Sequence, residues 1–492
     1  MSVETSPGQR RGKRAKSEPR RWRQPLIPRG EIYRLSPKPP VKRRGRVWAL
    51  WDRVRLAART GWPWAAVALM LVAAGRYGTA APLLALSILL FLFAPRLARP
   101  ACELDYPFGS DSADFLYTIQ GATGTKIVES NRLAVHQNGD EFYPAMLGAV
   151  AKAEYSITME QYILWAGEIG TRFAEAFAER AKAGVSVKLL VDAVGSATIG
   201  RRILTTLEEG GCQLAWYRPI RWFSPQRANR RNHRKSLIVD GRLAFTGGAG
   251  IGDHWLGNAE DRHHWRDTMI ELEGPAVAAL QTGFAQNWLE TTGELLTGAR
   301  YYPPAEVSGD VAAAAILSSP FSGVENATIM ISLALLCARR NLYIANPYFV
   351  PGPEILEMLR DCRQRVVDVK VMVAGVSNDV WLARQNSVRL YGRLLEAGIE
   401  MYEYNRTMMH QKTMVVDDVW AVVATANFDN RSFALNEETS VCFYDQQMVD
   451  EMRRVFLADL AVCEKVDLER WRRRGIWARA GEVLSSFLQD QV

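Results

Sequence analysis

The chain has 492 residues, enough for two or three domains and a sizeable core. With 48% hydrophobic and 23% charged residues, it is neither wholly disordered nor collagen-like nor a coiled coil. Residues 1–60 hold 18 of the 61 Lys and Arg residues but only four of the 53 Asp and Glu, so the net +8 divides into a +14 tail and a −6 body, and a body of that sign does not grip a polyanion by charge alone.

From Ser6 to Arg46 the chain is rich in Pro, Arg and Lys, has no helical or strand period, and reads as disordered in solution. Two uncharged runs follow, Gly61–Gly75 and Tyr77–Pro95, separated by Arg76. Their 15 and 19 residues, against the ~20 needed to cross a bilayer, predict a transmembrane hairpin over residues 61–97 that turns at Arg76-Tyr77-Gly78. A single span, a re-entrant pair and a soluble helix pair are the alternatives. Trp48, Trp51, Trp62 and Trp64 suit an interface belt, and some 60 preceding residues do not fit a cleaved signal peptide. Basic residues at both ends place the body on the cytoplasmic side of the inner membrane, with the tail of residues 1–60 against anionic headgroups.

Beyond about residue 125 helical and strand patterns alternate, which predicts an α/β body. The body also repeats itself. GVSVKLLVDAVGS (Gly184–Ser196) matches VVDVKVMVAGVSN (Val366–Asn378), and GCQLAWYRP (Gly211–Pro219) matches GIEMYEYNR (Gly398–Arg406). The β-branched runs read as strands buried on both faces. Two lobes of one design are expected, over residues 125–300 and 307–465, followed by a basic helix in 466–492. The first copy carries about ten extra residues around IRWFSPQRANR (Ile220–Arg230), with Trp222 and Phe223 beside Arg221, Arg227, Arg230 and Arg231. They form either a solvated loop or a surface that sinks aromatics into lipid while arginines hold phosphates. The six cysteines (Cys102, Cys212, Cys337, Cys362, Cys442 and Cys463) show no disulfide or zinc spacing and read as buried thiols.

The chemistry-bearing residues sit at matching points of the two copies. One copy reads Asn-His233-Arg-Lys235-Ser-Leu-Ile-Val-Asp240, followed by Thr246-Gly247-Gly248. The other reads Met-His410-Gln-Lys412-Thr-Met-Val-Val-Asp417, followed by Ala424-Thr425-Ala426-Asn427. Each is H-x-K-x4-D, which puts His and Lys two apart on one strand and on one face. Two copies 177 residues apart, packed about a pseudo-twofold axis, would bring two imidazoles and two ammonium groups into one pocket. The ammonium groups can neutralise a phosphodiester, one imidazole can attack phosphorus, and the other can serve as acid and base. A carboxylate behind each histidine would fix its tautomer, a role the spacing offers to Asp240 and Asp417.

The double motif is similar to that of the phospholipase D superfamily, and the wider frame resembles bacterial cardiolipin synthases. Supporting stretches are MEQYIL (Met159–Leu164), LLVDAVGS (Leu189–Ser196), RRNHRKSLIVDG (Arg230–Gly241), WRDT (Trp265–Thr268), ANPYFVPGPEI (Ala345–Ile355) and NRSFALNEE (Asn430–Glu438). The resemblance covers roughly residues 125–465 and implies two α/β/α lobes sharing one site. It implies phosphatidyl transfer through a phosphohistidine, with no metal or other cofactor. His233 would be the nucleophile and His410 the acid and base, an order that spacing leaves open. Lys235, Lys412, Asn427 and Thr425 would bind phosphate near Gly247 and Gly248, and Asp240 and Asp417 would orient the site. The family usually has asparagine where this chain has Gly250 in GGAGIGDHW.

Glu160 and Glu438 are candidate charged partners of the motif residues or structural ion pairs. His263 and His264 in DRHHWRD lack further ligands at metal spacing. Tyr348 and Phe349 line a pocket or pack in the core. DLERWRRRGIWAR (Asp467–Arg479) could lie on a membrane or in solvent. The expected function is cardiolipin synthesis from two phosphatidylglycerols with release of glycerol, with phospholipids and an anionic membrane as partners. A hydrolytic phospholipase D, a transferase using phosphatidylethanolamine, a nuclease and an inactive scaffold are the alternatives. The sequence does not give the oligomeric state.

Overall fold

The computed structural model describes residues 62–93, 102–220, 229–320, 325–365, 367–475, 481–482 and 485. The basic tail, Trp222 and Phe223 with most of their insertion, and most of the chain beyond residue 475 lie outside the described residues.

The apolar stretch forms two helices, α1 (Trp62–Ala73) and α2 (Tyr77–Phe93), which pack against each other. Gly75 takes the left-handed conformation that ends α1, and Arg76 closes the turn by donating its amide to Leu71. At 1.5 Å per residue the helices span about 18 and 26 Å, short of the ~30 Å hydrocarbon thickness. Among the described residues no helix is long and apolar enough to cross a membrane. Of the expected transmembrane hairpin over residues 61–97, the described part, 62–93, is a helical hairpin, and 61 and 94–97 lie outside the described residues.

The body is built on one mixed sheet. In chain order its strands are β1 (Val128–Gln137), β2 (Ser156–Gln161), β3 (Ser186–Asp192), β4 (Gln213–Tyr217), β5 (Ser236–Val239), β6 (Leu243–Gly247), β7 (Thr268–Glu273) and β8 (Val311–Ser318). There follow β9 (Asn341–Ala345), β10 (Asp368–Ala374), β11 (Glu400–Tyr404), β12 (Thr413–Val416), β13 (Trp420–Ala424), β14 (Glu438–Tyr444) and β15 (Glu464–Lys465). Their order across the sheet is 15-11-10-9-12-13-14-8-1-7-6-5-2-3-4. Reading outward from the antiparallel β1–β8 junction, 1-7-6-5-2-3-4 corresponds to 8-14-13-12-9-10-11, so the order is palindromic.

Alternate residues of the central strands feed opposite faces. Leu189 and Val191 join one cluster with Phe142, Phe173 and Phe177, while Leu190 faces the other side. Met414 and Val416 likewise pack with Leu335 and Leu359, with Val415 opposite. The cluster that takes Leu190 and Val415 spans both halves and includes Phe284 and Phe456 from helices Val277–Thr292 and Gln446–Leu460. One face of the sheet therefore carries a core common to the two halves, and the other face carries two separate cores.

Of the expected basic helix over 466–492, residues 466–475, 481–482 and 485 are described. Leu468–Arg472 is helical, as are the described residues 481, 482 and 485, and Trp471 is held against the body. Its indole donates to the carbonyl of Val388 at 2.8 Å, and the Arg474 guanidinium lies 3.7 Å from its ring centroid.

Candidate active site

In each half the parallel strands, β2 and β3 or β9 and β10, end where that half's histidine motif enters, because β5 and β12 run antiparallel to β2 and β9. The strands begin one residue after each lysine, so His233 to Lys235 and His410 to Lys412 are the extended leads into β5 and β12 rather than parts of them. Their backbones bond to the opposite half instead. His233 donates its amide to Glu437 at 2.9 Å, and Glu437 donates to Arg231 at 2.9 Å. His410 donates to Arg266 at 2.7 Å, and Arg266 donates to Met408 at 2.9 Å. Two matching straps thus hold each histidine to the other half of the chain.

Just beyond each strap comes a carboxylate. His233 Nδ1 lies 3.0 Å from both oxygens of Glu438, the first residue of β14. His410 Nδ1 lies 3.0 Å from Asp267, the residue before β7. Each carboxylate is itself anchored. Glu438 accepts from Thr425 Oγ1 at 2.5 Å and Asn436 Nδ2 at 3.3 Å, while Asp267 accepts from Trp255 Nε1 at 2.9 Å and its neighbour's amide at 2.8 Å. Burial alone would raise both acids. Hydrogen bonds and charge from His410 and Lys412 reverse this for Asp267, and those from His233 and Lys235, with the Thr425 hydroxyl, reverse it for Glu438, so both lie below the ordinary carboxylate range.

The expected support by Asp240 and Asp417 is corrected. Seven extended residues carry each aspartate about 20 Å from its histidine. Both take φ 53° at the strand end, and each carboxylate gathers the amides that lead into the neighbouring strand. Asp240 accepts from Glu154, Tyr155 and Ser156 at 2.7–2.9 Å, and Asp417 accepts from Arg339, Arg340 and Asn341 and from the Ser110 hydroxyl. They staple β5 to β2 and β12 to β9.

The two lysines meet in the same buried place. Lys235 Nζ donates to the carbonyl of His233 at 2.9 Å, and Lys412 donates to that of His410 while lying 3.0–3.1 Å from its ring nitrogens. Burial first, and then the charge of Lys412, pushes Lys235 down to about 7. Burial pushes Lys412 down to about 8, against the pull of Asp267 and Glu438. Burial also lowers His233, to about 4 in the presence of both ammonium groups, and it lowers His410 with help from Lys412. Charges from both halves therefore act on one another inside a single desolvated pocket, where an anion is the counter-charge the two ammonium groups need.

The remaining sequence candidates take varied places. Asn427 is buried at the site with its Oδ1 unpartnered, and its amide donates to Ser432. Thr425 is committed to Glu438 rather than to a phosphate position. Gly247 packs on the backbone of Thr268, and Gly248 lies against the Asp267 carboxylate, where a Cβ would collide. Glu160 accepts from Asn232 and Asn287 at 3.0 Å each and touches neither histidine nor lysine. Arg231, offered above as a headgroup ligand, is buried, pairing with Asp192 and donating to the Arg218 carbonyl.

Aromatic rings wall the pocket. Tyr162 packs on His233 with centroids 5.2 Å apart, and Tyr348, Trp255 and Trp265 pack on His410 at 6.2, 5.5 and 5.6 Å. Tyr348 donates to Asp379 at 2.5 Å, whereas Phe349 is buried in the core against Phe428. Gly250 sits beneath Trp255, and a Cβ there would come within 2.8 Å of Ile163 and 3.2 Å of the Trp255 ring. The indole that holds Asp267 thus fills the neighbourhood where the family usually carries asparagine. Asp267 is the main residue that the motif spacing missed. Its signal is an acid followed by threonine at the start of a strand, Asp267-Thr268 in one half and Glu438-Thr439 in the other. Among the described residues no group of three or more His, Cys, Asp or Glu could hold a metal ion.

A fold of this kind, with paired His-Lys motifs at its midline, defines a phospholipase D-type enzyme. The family model described as "Cardiolipin synthase, PLD-like domain" matches residues 146–288 and 332–460. The chain is 33% identical over 396 residues to cardiolipin synthase 1 of Bacillus cereus, covering 78% of this chain and 77% of that one. It is 30% identical over 393 residues to cardiolipin synthase of Listeria monocytogenes, covering 78% and 81%. Among solved structures, phosphatidylserine synthase of Haemophilus influenzae aligns with TM-score 0.60 and 13% identity over 77% of this chain and all of that one, a likeness of fold. The chain belongs to the cardiolipin synthase family of phospholipase D-like proteins.

Proposed function

We infer that the chain is a phosphatidyltransferase that joins two phosphatidylglycerols into cardiolipin and releases glycerol. The observation that carries this reading is the pair of crossed histidine–carboxylate contacts around two buried ammonium groups. In the first half-reaction Lys235 and Lys412 hold the donor phosphodiester. With Nδ1 given to Glu438, neutral His233 attacks phosphorus through Nε2. The P–O bond to the headgroup glycerol breaks, and that oxygen takes a proton from His410, whose imidazolium is favoured by Asp267. In the second half-reaction His410 removes the proton from a hydroxyl of the second phosphatidylglycerol. That oxygen forms the new P–O bond as the P–N bond to His233 breaks, and both histidines return to their starting states.

Residues 125–300 and 307–465 act in this reading as two lobes of one catalytic unit. The apolar pair α1 and α2 would embed in the cytoplasmic membrane, with the body on the cytoplasmic side. Exposed Leu69, Met70, Leu84 and Ile88 on these helices support that placement. Purified protein given phosphatidylglycerol should yield cardiolipin and glycerol in equal amounts, and His233→Ala or His410→Ala should each abolish both. Phosphatidic acid as the sole lipid product at every lipid-to-water ratio would make the enzyme a hydrolase.

A further inference from the structure

Segments that leave the ends of β3, β4 and β10 carry apolar side chains into solvent, in each half at the strand ends where its histidine motif enters. Val194 follows β3, Ile220 follows β4, and Val376 and Trp381 follow β10; they are 40, 69, 69 and 61% exposed. Val194 and Val376 occupy corresponding positions of the two matched stretches, so the exposure repeats with the fold. These loops are ordered parts of the pocket wall. The amide of Ala193 bonds to Tyr217, and Trp165 Nε1 donates to Gly195 at 2.8 Å, while Gly195 abuts Tyr162, the ring that packs on His233. On the other side Val376 donates to Asn405, Asn378 donates to Pro347, and Asp379 takes the Tyr348 hydroxyl beside His410.

We propose that this rim is a bilayer-docking surface: Val194, Ile220, Val376 and Trp381 enter the headgroup–acyl boundary and set the pocket mouth on the lipid layer. The reading rests on phosphatidyl transfer. The histidines are buried, so a phosphodiester must descend to them while its acyl chains stay above the rim, and apolar side chains around the mouth meet those chains. Half-buried Trp165 and Trp265 just inside the rim continue it with groups suited to the interface. The rim is independent of the helical hairpin, so the body touches the membrane at its catalytic edge as well as through its amino-terminal segment.

The test uses the full chain reconstituted in vesicles of phosphatidylglycerol and phosphatidylcholine, with Cys102, Cys212 and Cys463 replaced by serine. A bimane label is placed through Val194→Cys, Val376→Cys or Tyr155→Cys; Tyr155 is exposed at the opposite edge, before β2. Lipids brominated on their acyl chains should quench the labels at 194 and 376 and leave that at 155 unchanged. Val376→Asp with Trp381→Asp should lower turnover on vesicles by about tenfold and change turnover on monomeric short-chain phosphatidylglycerol by less than about twofold. Equal quenching at 155 and 376, or equal loss on both substrates, would overturn the proposal. Quenching without cardiolipin formation would retain the surface and reject the phosphatidyl-transfer reading; cardiolipin formation without quenching would do the reverse.

Discussion

His233 Nδ1 stands 3.0 Å from the carboxylate of Glu438, a residue 205 positions away in the other half of the chain. His410 repeats the relation with Asp267 across 143 positions. Neither motif histidine finds its carboxylate in its own half, so the catalytic unit is the assembled sheet. Glu438→Gln and Asp267→Asn keep the shape but lose the charge that fixes the tautomer. Each should lower kcat by about 10²–10⁴-fold with circular dichroism unchanged, measured as glycerol release from phosphatidylglycerol.

Asp240 and Asp417 should behave in the opposite way. Asp240→Ala strands three backbone amides that now share one carboxylate, which costs about 2–3 kcal/mol. Thermal unfolding should move down by several degrees while activity per folded molecule stays within about threefold. A loss of activity as deep as that of Glu438→Gln, with Tm unchanged, would return Asp240 to the chemistry.

The pocket should take up protons when it binds an anion. At pH 8 Lys235, at about 7, is mostly neutral in the free pocket. A bound phosphodiester favours the charged form and raises that value, so binding draws a proton from the buffer. Because Lys412, at about 8, is also partly neutral there, calorimetry of a non-reactive phosphatidylglycerol phosphonate in buffers of different ionisation enthalpy should show between one and two protons taken up at pH 8 and fewer at pH 6. Lys235→Arg, which stays charged, should reduce the uptake at pH 8.

Gly250→Asn restores the residue usual in the family and should be harmful here. Its Cβ would press on Ile163 and on the Trp255 ring, whose indole holds Asp267. Overpacking of this kind costs about 1–3 kcal/mol. Reduced Tm and reduced kcat should appear together.

The motif histidines and lysines were legible because a buried strand before an H-x-K triplet recurs twice, and the strand matches give the palindromic order of the sheet. The partners of the histidines were not, since the aspartate near in sequence is carried the length of a strand away, whereas Asp267 and Glu438 reach the opposite motif only once the sheet closes at β1 and β8. Both lay inside stretches that resembled the family, WRDT and NRSFALNEE, without spacing to tell them from structural acids. The hairpin was legible as two apolar, uncharged runs, and the left-handed Gly75 that stops α1 is the last residue of the first run, beside the expected turn.

The most direct test of a shared phosphorus-transfer site is a burst experiment with phosphatidyl-nitrophenol, a donor whose leaving group needs no proton and which carries no acceptor hydroxyl. In His410→Ala, with lipid acceptors omitted, one nitrophenolate should be released per chain. Mass spectrometry after alkaline quench should then place the phosphatidyl group on His233, and His233→Ala should give neither burst nor adduct. A burst in His233→Ala with the adduct on His410, or no adduct in either variant, would contradict the account.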